Sequence, residues 1–375
     1  MDMQKSLDSL HSLMLEPRII RAPYPIRQRD TGLAQMTVEA ISEVYAVEGI
    51  SFDTISSDRS LTAAQIGDWL TKNAKSSRGT PSDSPLFAAS QITVALSWLE
   101  KGPIVEATPA LLEMLENTDI DDSITAEQLR MPMPRSLYLL MPRTGEEYRL
   151  YDGTGGYFPL EGVLIRESHP IDPDTGESER WLEFVVASST TAASKNALDD
   201  AYYYRPLSIS KGAESKSILQ LIADYDIELY ARLGLTPPEP GSAEEKNEAV
   251  IRRVVSLASK VLLYLNIPNV RRADHQGRSD LLRTAPPKDP VKRRKYEQRI
   301  RGTFDRIVVG PTWEEAGLGR AGEGTSKRAH FRRGHFRNQA FGSGLSQRRL
   351  TWIHPTVVGA QGSDSPLPRD YALKR

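Results

Sequence analysis

Three of the six histidines, His330, His335 and His354, fall close together near the C-terminal end, beside Arg328, Arg332, Arg333, Arg337, Arg348 and Arg349. Guanidinium forks grip phosphate oxygens in pairs, and imidazoles donate, accept or stack near neutral pH. With the rings of Phe336 and Trp352 added, the set fits a nucleic-acid surface, cations for the backbone and rings for unstacked bases. The same side chains allow a second chemistry. His330 and His335 as general acid and base, with Arg332 stabilising a pentavalent phosphate, are the parts a metal-free ribonuclease needs. A third reading is a protein-binding module whose basic face is structural: an edge strand kept soluble by its arginines, or one docked on an acidic surface. No metal or other cofactor is expected, because zinc favours cysteine or carboxylate ligands and arginines crowd these imidazoles with positive charge.

Such residues need a rigid strand pair to hold them. Gly342-Ser343-Gly344 marks a turn between Ala329–Phe341 and a returning RRLTWIHPTVV. Strict alternation from Ala329 mixes apolar and charged groups on both faces. One extra residue, a bulge at Arg333-Gly334, would put His330, Arg332, His335 and Arg337 on one face and Ala329, Phe331 and Phe336 on the other, against the core.

Upstream, the period of the apolar residues changes twice. Residues 1–130 read mainly as helices: AASQITVALSWLE carries Ile92, Ala95, Leu96 and Leu99 on one face, and Thr108-Pro109 is a helix start. RGTPSDSP reads as a loop. Between 131 and 268, SLYLLMP, EYRLYDG, GVLIRES, WLEFVVASS and AYYYRPLSIS are short strands separated by tight turns such as DGTGG and DPDTG, which join antiparallel neighbours. Helices at 217–233 and 243–265 follow, the second apolar almost all round in VVSLASKVLLYL. Residues 269–303 read as a basic loop of modest order, 304–360 as a strand (FDRIVVG) and the His/Arg hairpin, and 361–375 as a tail. The expected fold is α+β: N-terminal helices, a central antiparallel sheet backed by two helices, and a C-terminal basic hairpin that closes or extends the sheet.

Charge is polarised along the chain. From Arg252 to Arg375 there are 26 Lys+Arg and 10 Asp+Glu, about +16; of the totals of 48 and 49, that leaves 22 and 39 before it, about −17. Such a split means either that the halves pack on one another or that the basic end meets an external polyanion. The absence of cysteine excludes disulfides, thiolate metal sites and a cysteine nucleophile, and fits a reducing cytoplasm. No run reaches the roughly 18 apolar residues of a membrane span, so a membrane partner is not expected. Elsewhere DGTGG reads as a hairpin turn, His169 as structural, and Asp119 to Asp122 and Asp199-Asp200 as solvated loops with weak cation potential. Lys292-Arg293-Arg294-Lys295 reads as a solvated cluster or a supplementary phosphate contact.

The segment SKRAHFRRGHFRNQAFGSGLSQRRLTWIHPTVVG resembles the C-terminal signature of a mobile-element protein family that includes an anti-CRISPR protein acting against the type V-A effector nuclease. His330, Arg332, Arg333, Gly334, His335, Phe336, Gly342, Gly344, Arg348, Arg349, Trp352 and Pro355 carry the likeness. Phe336 stands where that signature has tryptophan. A weaker likeness reaches back to about residue 130 through SLYLLMP, GVLIRES, WLEFVVASS and VLLYLNIP. The resemblance implies a regulator that lowers the effector by causing loss of its messenger RNA, after recognising the nascent N-terminal polypeptide during translation. Its partners would be RNA or a ribosome–nascent-chain complex, and a specific target polypeptide.

Overall fold

A computed structural model describes residues 12–47, 62, 63, 65, 66, 85–133, 135–152, 156–171, 176–191, 194, 196, 197, 201–209, 213–224, 238–312 and 330–358; of residues 40, 43–47, 85–88, 330–332 and 356–358 it describes the backbone alone. In chain order the elements begin with helices α1 (Pro17–Ile20), α2 (Tyr24–Thr31), α3 (Leu33–Val47) and α4 (Pro85–Glu100), then strand β1 (Ile104–Ala107), α5 (Pro109–Glu116) and β2 (Thr118–Ile120). Strands β3 (Ser136–Arg143), β4 (Arg149–Tyr151), β5 (Tyr157–Ser168), β6 (Arg180–Ser188) and β7 (Tyr202–Ile209) follow, then α6 (Ala243–Leu265), β8 (Arg272–His275), α7 (Gly277–Arg283), α8 (Pro290–Ile300) and β9 (Arg306–Val309). The end holds β10 (His330–Arg332), β11 (Gly334–Phe341), β12 (Gln347–Ile353) and β13 (Thr356–Val358).

The fold is α+β, with a large mixed sheet in the order β7-β6-β5-β3-β1-β9-β8 and β4 paired to β5. Short turns make β3, β5, β6 and β7 antiparallel neighbours, as their sequence demands. The expectation of a purely antiparallel sheet fails at β1, which runs parallel to both β3 and β9. Its chain returns to β3 only through α5 and β2, a connection long enough for a parallel crossover. Four residues between Pro103 and Thr108 were too few to stand out within a helical stretch.

Strand alternation divides the core in two. Leu137, Leu139, Val163, Ile165, Leu182, Phe184 and Val186 face the apolar side of α6, while Tyr138, Leu164, Val185 and Tyr204 face residues of α2, α3 and α4. The N-terminal helices therefore cover the sheet face that α6 does not. Helix α6 starts where Ser242 accepts a hydrogen bond from the Glu245 N–H. The helix expected at 217–233 is helical over 218–224, and the remainder of that span lies outside the described residues.

Buried charge ties the N-terminal layer to the sheet. Arg27 on α2 meets Glu161 on β5 at 2.6 Å, and Glu161 also accepts from the Tyr138 hydroxyl and the Tyr24 N–H. Arg166 on β5 meets Glu183 on β6 at 2.8 Å and Glu100 on α4 at 3.2 Å, while Glu183 accepts from the Tyr204 hydroxyl and the Ala63 N–H. Burial, reinforced by Glu161, pushes the Tyr138 hydroxyl well above the ordinary phenol range.

Residues 269–303, expected as a loop, hold ordered structure. Asp289 caps α8 by accepting from the Lys292 N–H, with Pro290 in the first turn. Asp305 accepts from the Arg278 and Ser279 N–H groups at the start of α7. The Tyr296 hydroxyl lies 3.0 Å from the carbonyls of Leu281 and Thr284, joining the two helices. Neither α7 nor α8 buries a residue, so no apolar stripe announced them.

Candidate functional site

The hairpin forms as the glycines require: Gly342 and Gly344 take φ of 80° and 64° in the turn between β11 and β12. It does not extend the central sheet. Its β11 pairs instead with the parallel β2, giving a separate three-stranded sheet β12-β11-β2, with Gly334, His335 and Phe336 opposite Thr118, Asp119 and Ile120. Apolar side chains anchor that sheet. Phe336 is fully buried, Trp352 stacks on it with ring centres 6.0 Å apart, and Trp352 meets Tyr264 of α6 edge-on at 5.3 Å. The Trp352 indole donates to the Thr118 hydroxyl at 3.1 Å. Phe336 thus belongs to the core and leaves no face for a base.

The expected bulge at Arg333-Gly334 is absent. Arg332 faces Thr356 and His335 faces Ile353, three residues apart on each strand, so no residue is extra. The ladder is instead interrupted where Arg333-Gly334 lies opposite His354-Pro355, because Pro355 has no N–H to give. Glycine is needed there for closeness: a Cβ on Gly334 would lie 2.7 Å from Pro355 Cδ and from Thr118 Oγ1, and 2.8 Å from the Ile353 carbonyl oxygen. The shared face of His335 and Arg337, opposite Phe336, survives without the bulge.

The β11–β12 register puts His335, Arg337 and Gln339 on one face with Arg349 and Thr351. Arg337, Arg348 and Arg349 are exposed, and Arg349 lies over the Phe341 ring at 5.4 Å. Arg348 falls on the Phe336 side, beyond the end of the core. Arg333 is drawn to Asp119 at 3.3 Å, and exposed His354 stacks on Trp352 at 5.1 Å. The backbone of His330 and Arg332 pairs with β13, their side chains are not described, and Arg328 lies outside the described residues.

Next to His335 stand carboxylates. Asp119 is its neighbour on β2; Asp121 is held below the ordinary carboxylate range by the Ser123 hydroxyl and N–H, with a further contribution from His335. These acids counter the cations at the β2 end, so the net positive face is the distal half of the hairpin. Among the described residues no group of three His, Cys, Asp or Glu is placed to hold a metal ion. Nor is any described helix long and apolar enough to cross a membrane. His169, read as structural, lies 3.0 Å from Glu167, and Asp199-Asp200 is outside the described residues.

Two features here were not read from sequence. Lys260, the one cation in the apolar half of α6, donates to the Leu115 carbonyl at 3.0 Å. Burial lowers its pKa to about 8, Asp119 and Glu116 oppose that shift, and Arg333 adds to it. A lone lysine inside VVSLASKVLLYL was the available signal. The second is a cavity of about 380 Å³ between α2, α4 and the 269–303 region, walled by Tyr24, Trp98, Tyr138 and Phe304 with Gln28 and Arg278. The Gln28 amide oxygen is buried without a hydrogen-bond partner among the described residues.

A family model described as AcrVA2-like, the anti-CRISPR type V subtype A2 family, matches residues 105–360. The chain belongs to this family. The match takes in the central sheet from β1, helix α6, the 269–303 region and the whole hairpin, and leaves α1 to α4 outside it. Among solved structures, a crystal structure of AcrVA2 is similar at 13% identity and a TM-score of 0.44, over 88% of this chain and 95% of that one. No curated protein matches.

Proposed function

We propose that this AcrVA2-like protein associates with RNA or translating ribosomes and lowers the expression of a specific target, which it recognises as a nascent polypeptide or its transcript. The observation that carries the RNA contact is the distal hairpin, where exposed Arg337 shares a face with Arg349, Arg348 is exposed on the other face, and neither Arg337 nor Arg348 has a carboxylate partner among the described residues. Unpaired guanidinium groups on a rigid strand pair suit phosphate oxygens. Supporting a polypeptide contact is the cavity beside α2 and α4, whose aromatic walls suit an apolar side chain.

The test is co-purification from translating cells that carry a type V-A CRISPR system. Effector transcript and nascent effector chains should be enriched on the protein, and effector mRNA should fall when it is expressed. R337A/R348A/R349A should lose the RNA enrichment. Equal recovery of all transcripts, with effector mRNA unchanged, would overturn the reading. Labelled RNA cleaved in EDTA by the wild-type chain but not by His335→Ala would replace it with a ribonuclease.

A further inference from the structure

The region from Arg271 to Arg301 holds 11 Lys+Arg and 4 Asp+Glu, about +7. Its acids are largely spent within the fold: Asp280 pairs with Arg283, Glu297 with Arg293, and Asp289 caps α8. Arg301 reaches Glu16, and Arg272 donates to the Leu265 carbonyl. After these bonds Lys288, Lys292, Arg294, Lys295 and Arg299 remain exposed, with no ion pair or hydrogen bond from their side chains among the described residues.

That surplus works against the fold. Lys292, Lys295 and Arg299 share one face of α8 at spacings of three and four, where like charges repel and weaken a helix. Because α8 buries nothing, no core contact offsets the repulsion. A merely solubilising surface intersperses both signs, whereas Lys292 to Lys295 is an unbroken run of four cations. The three cations on one face span roughly 10 Å along the axis at 1.5 Å per residue. The surface is a convex helix rather than a cleft, so it offers an extended partner a row of point charges and no pocket for a side chain.

We infer that α7 and α8 form a second polyanion-binding arm, separate from the hairpin, that contacts the phosphate backbone of RNA through Lys292, Lys295 and Arg299 on one face of α8. Contact of this kind reads charge and not base sequence. It rests on the RNA reading above and gives it a division of labour. The arm supplies salt-sensitive affinity without selecting a sequence.

The test is a salt titration of binding to single-stranded poly(U) RNA by the full chain, its hairpin variant R337A/R348A/R349A and its arm variant K292Q/K295Q/R299Q. Each lost phosphate contact lowers the slope of log K against log salt by roughly 0.7, so the arm variant should lose about 2 from it. Lys295→Gln alone should lose about 0.7. Circular dichroism should show no loss of helix, since these side chains make no bond among the described residues; if the threefold variant loses helix, the single substitution is the deciding measurement. An unaltered slope in the arm variants, beside loss of binding in the hairpin variant, overturns the arm and leaves the RNA reading standing. No binding by the wild-type chain at low salt overturns both. Binding to polyglutamate as tight as to poly(U), equally lost in the arm variant, assigns the arm to an acidic protein instead and overturns the RNA assignment.

Discussion

Arginines occupy two contrasting settings in this chain. Arg27, Arg166 and Arg205 are at most 5% exposed, and each holds a glutamate: Glu161, Glu183 with Glu100, and Glu248. Arg294, Arg299, Arg337 and Arg348 are exposed and hold none among the described residues. Removing a charge from water costs several kcal/mol, so a guanidinium enters the core only with a carboxylate and further hydrogen bonds around it. At the surface that constraint vanishes, and an unpaired arginine costs the fold only the weak repulsion of any like-charged neighbour. The buried set therefore joins layers, while the exposed set is available to an outside anion.

The contrast breaks most visibly at Arg166. Arg166→Ala should cost roughly 3–5 kcal/mol in urea unfolding, because it strands Glu183 and Glu100 in the core. A cost under about 1 kcal/mol would mean that the layer is wet and the contrast unreal. Trp352→Phe keeps the ring against Tyr264 but drops the hydrogen bond to Thr118, and should cost about 1 kcal/mol by the same measurement.

Lys260 lies between the two settings, buried enough to titrate low yet beside the exposed Arg333–Asp119 pair. Its folded pKa of about 8 is below the ordinary lysine value of 10.5, so between those values the unfolded chain binds the proton and the folded chain does not. Stability should accordingly rise with pH over that window through this group. Lys260→Met should lack that rise, so the difference between wild-type and variant stabilities, measured from pH 7 to 10.5, should change with pH; a constant difference would mean that the lysine is not desolvated. The smallest effect on stability is expected for R337A/R348A/R349A, within about 0.5 kcal/mol of wild type, although RNA binding should fall. A larger loss of stability would show that these arginines serve the fold after all.

Local chemistry was legible where a residue acts on its own neighbours. Ser242 and Thr108-Pro109 start helices, Gly342 and Gly344 make the turn, and runs such as WLEFVVASS form strands. The helices of the 269–303 region are hard to see in the sequence because α7 and α8 bury no face and so carry no apolar period, although Asp289-Pro290 is a start signal. The bulge was a sound inference from alternation, yet Gly334 serves a different need, the approach of Pro355 and Thr118. Alternation cannot tell an inserted residue from a break present on both strands.

By itself the sequence determined the α+β class, the tight antiparallel strands, the long apolar helix and the gathering of cations toward one end, since each depends on neighbours a few residues away. Only the tertiary structure decided that β1 lies parallel between β3 and β9, that β2 receives the hairpin, and which arginines find a glutamate. Those outcomes depend on pairings across scores of residues, from Thr118 to Gly334 and from Arg27 to Glu161, where no local period records the partner.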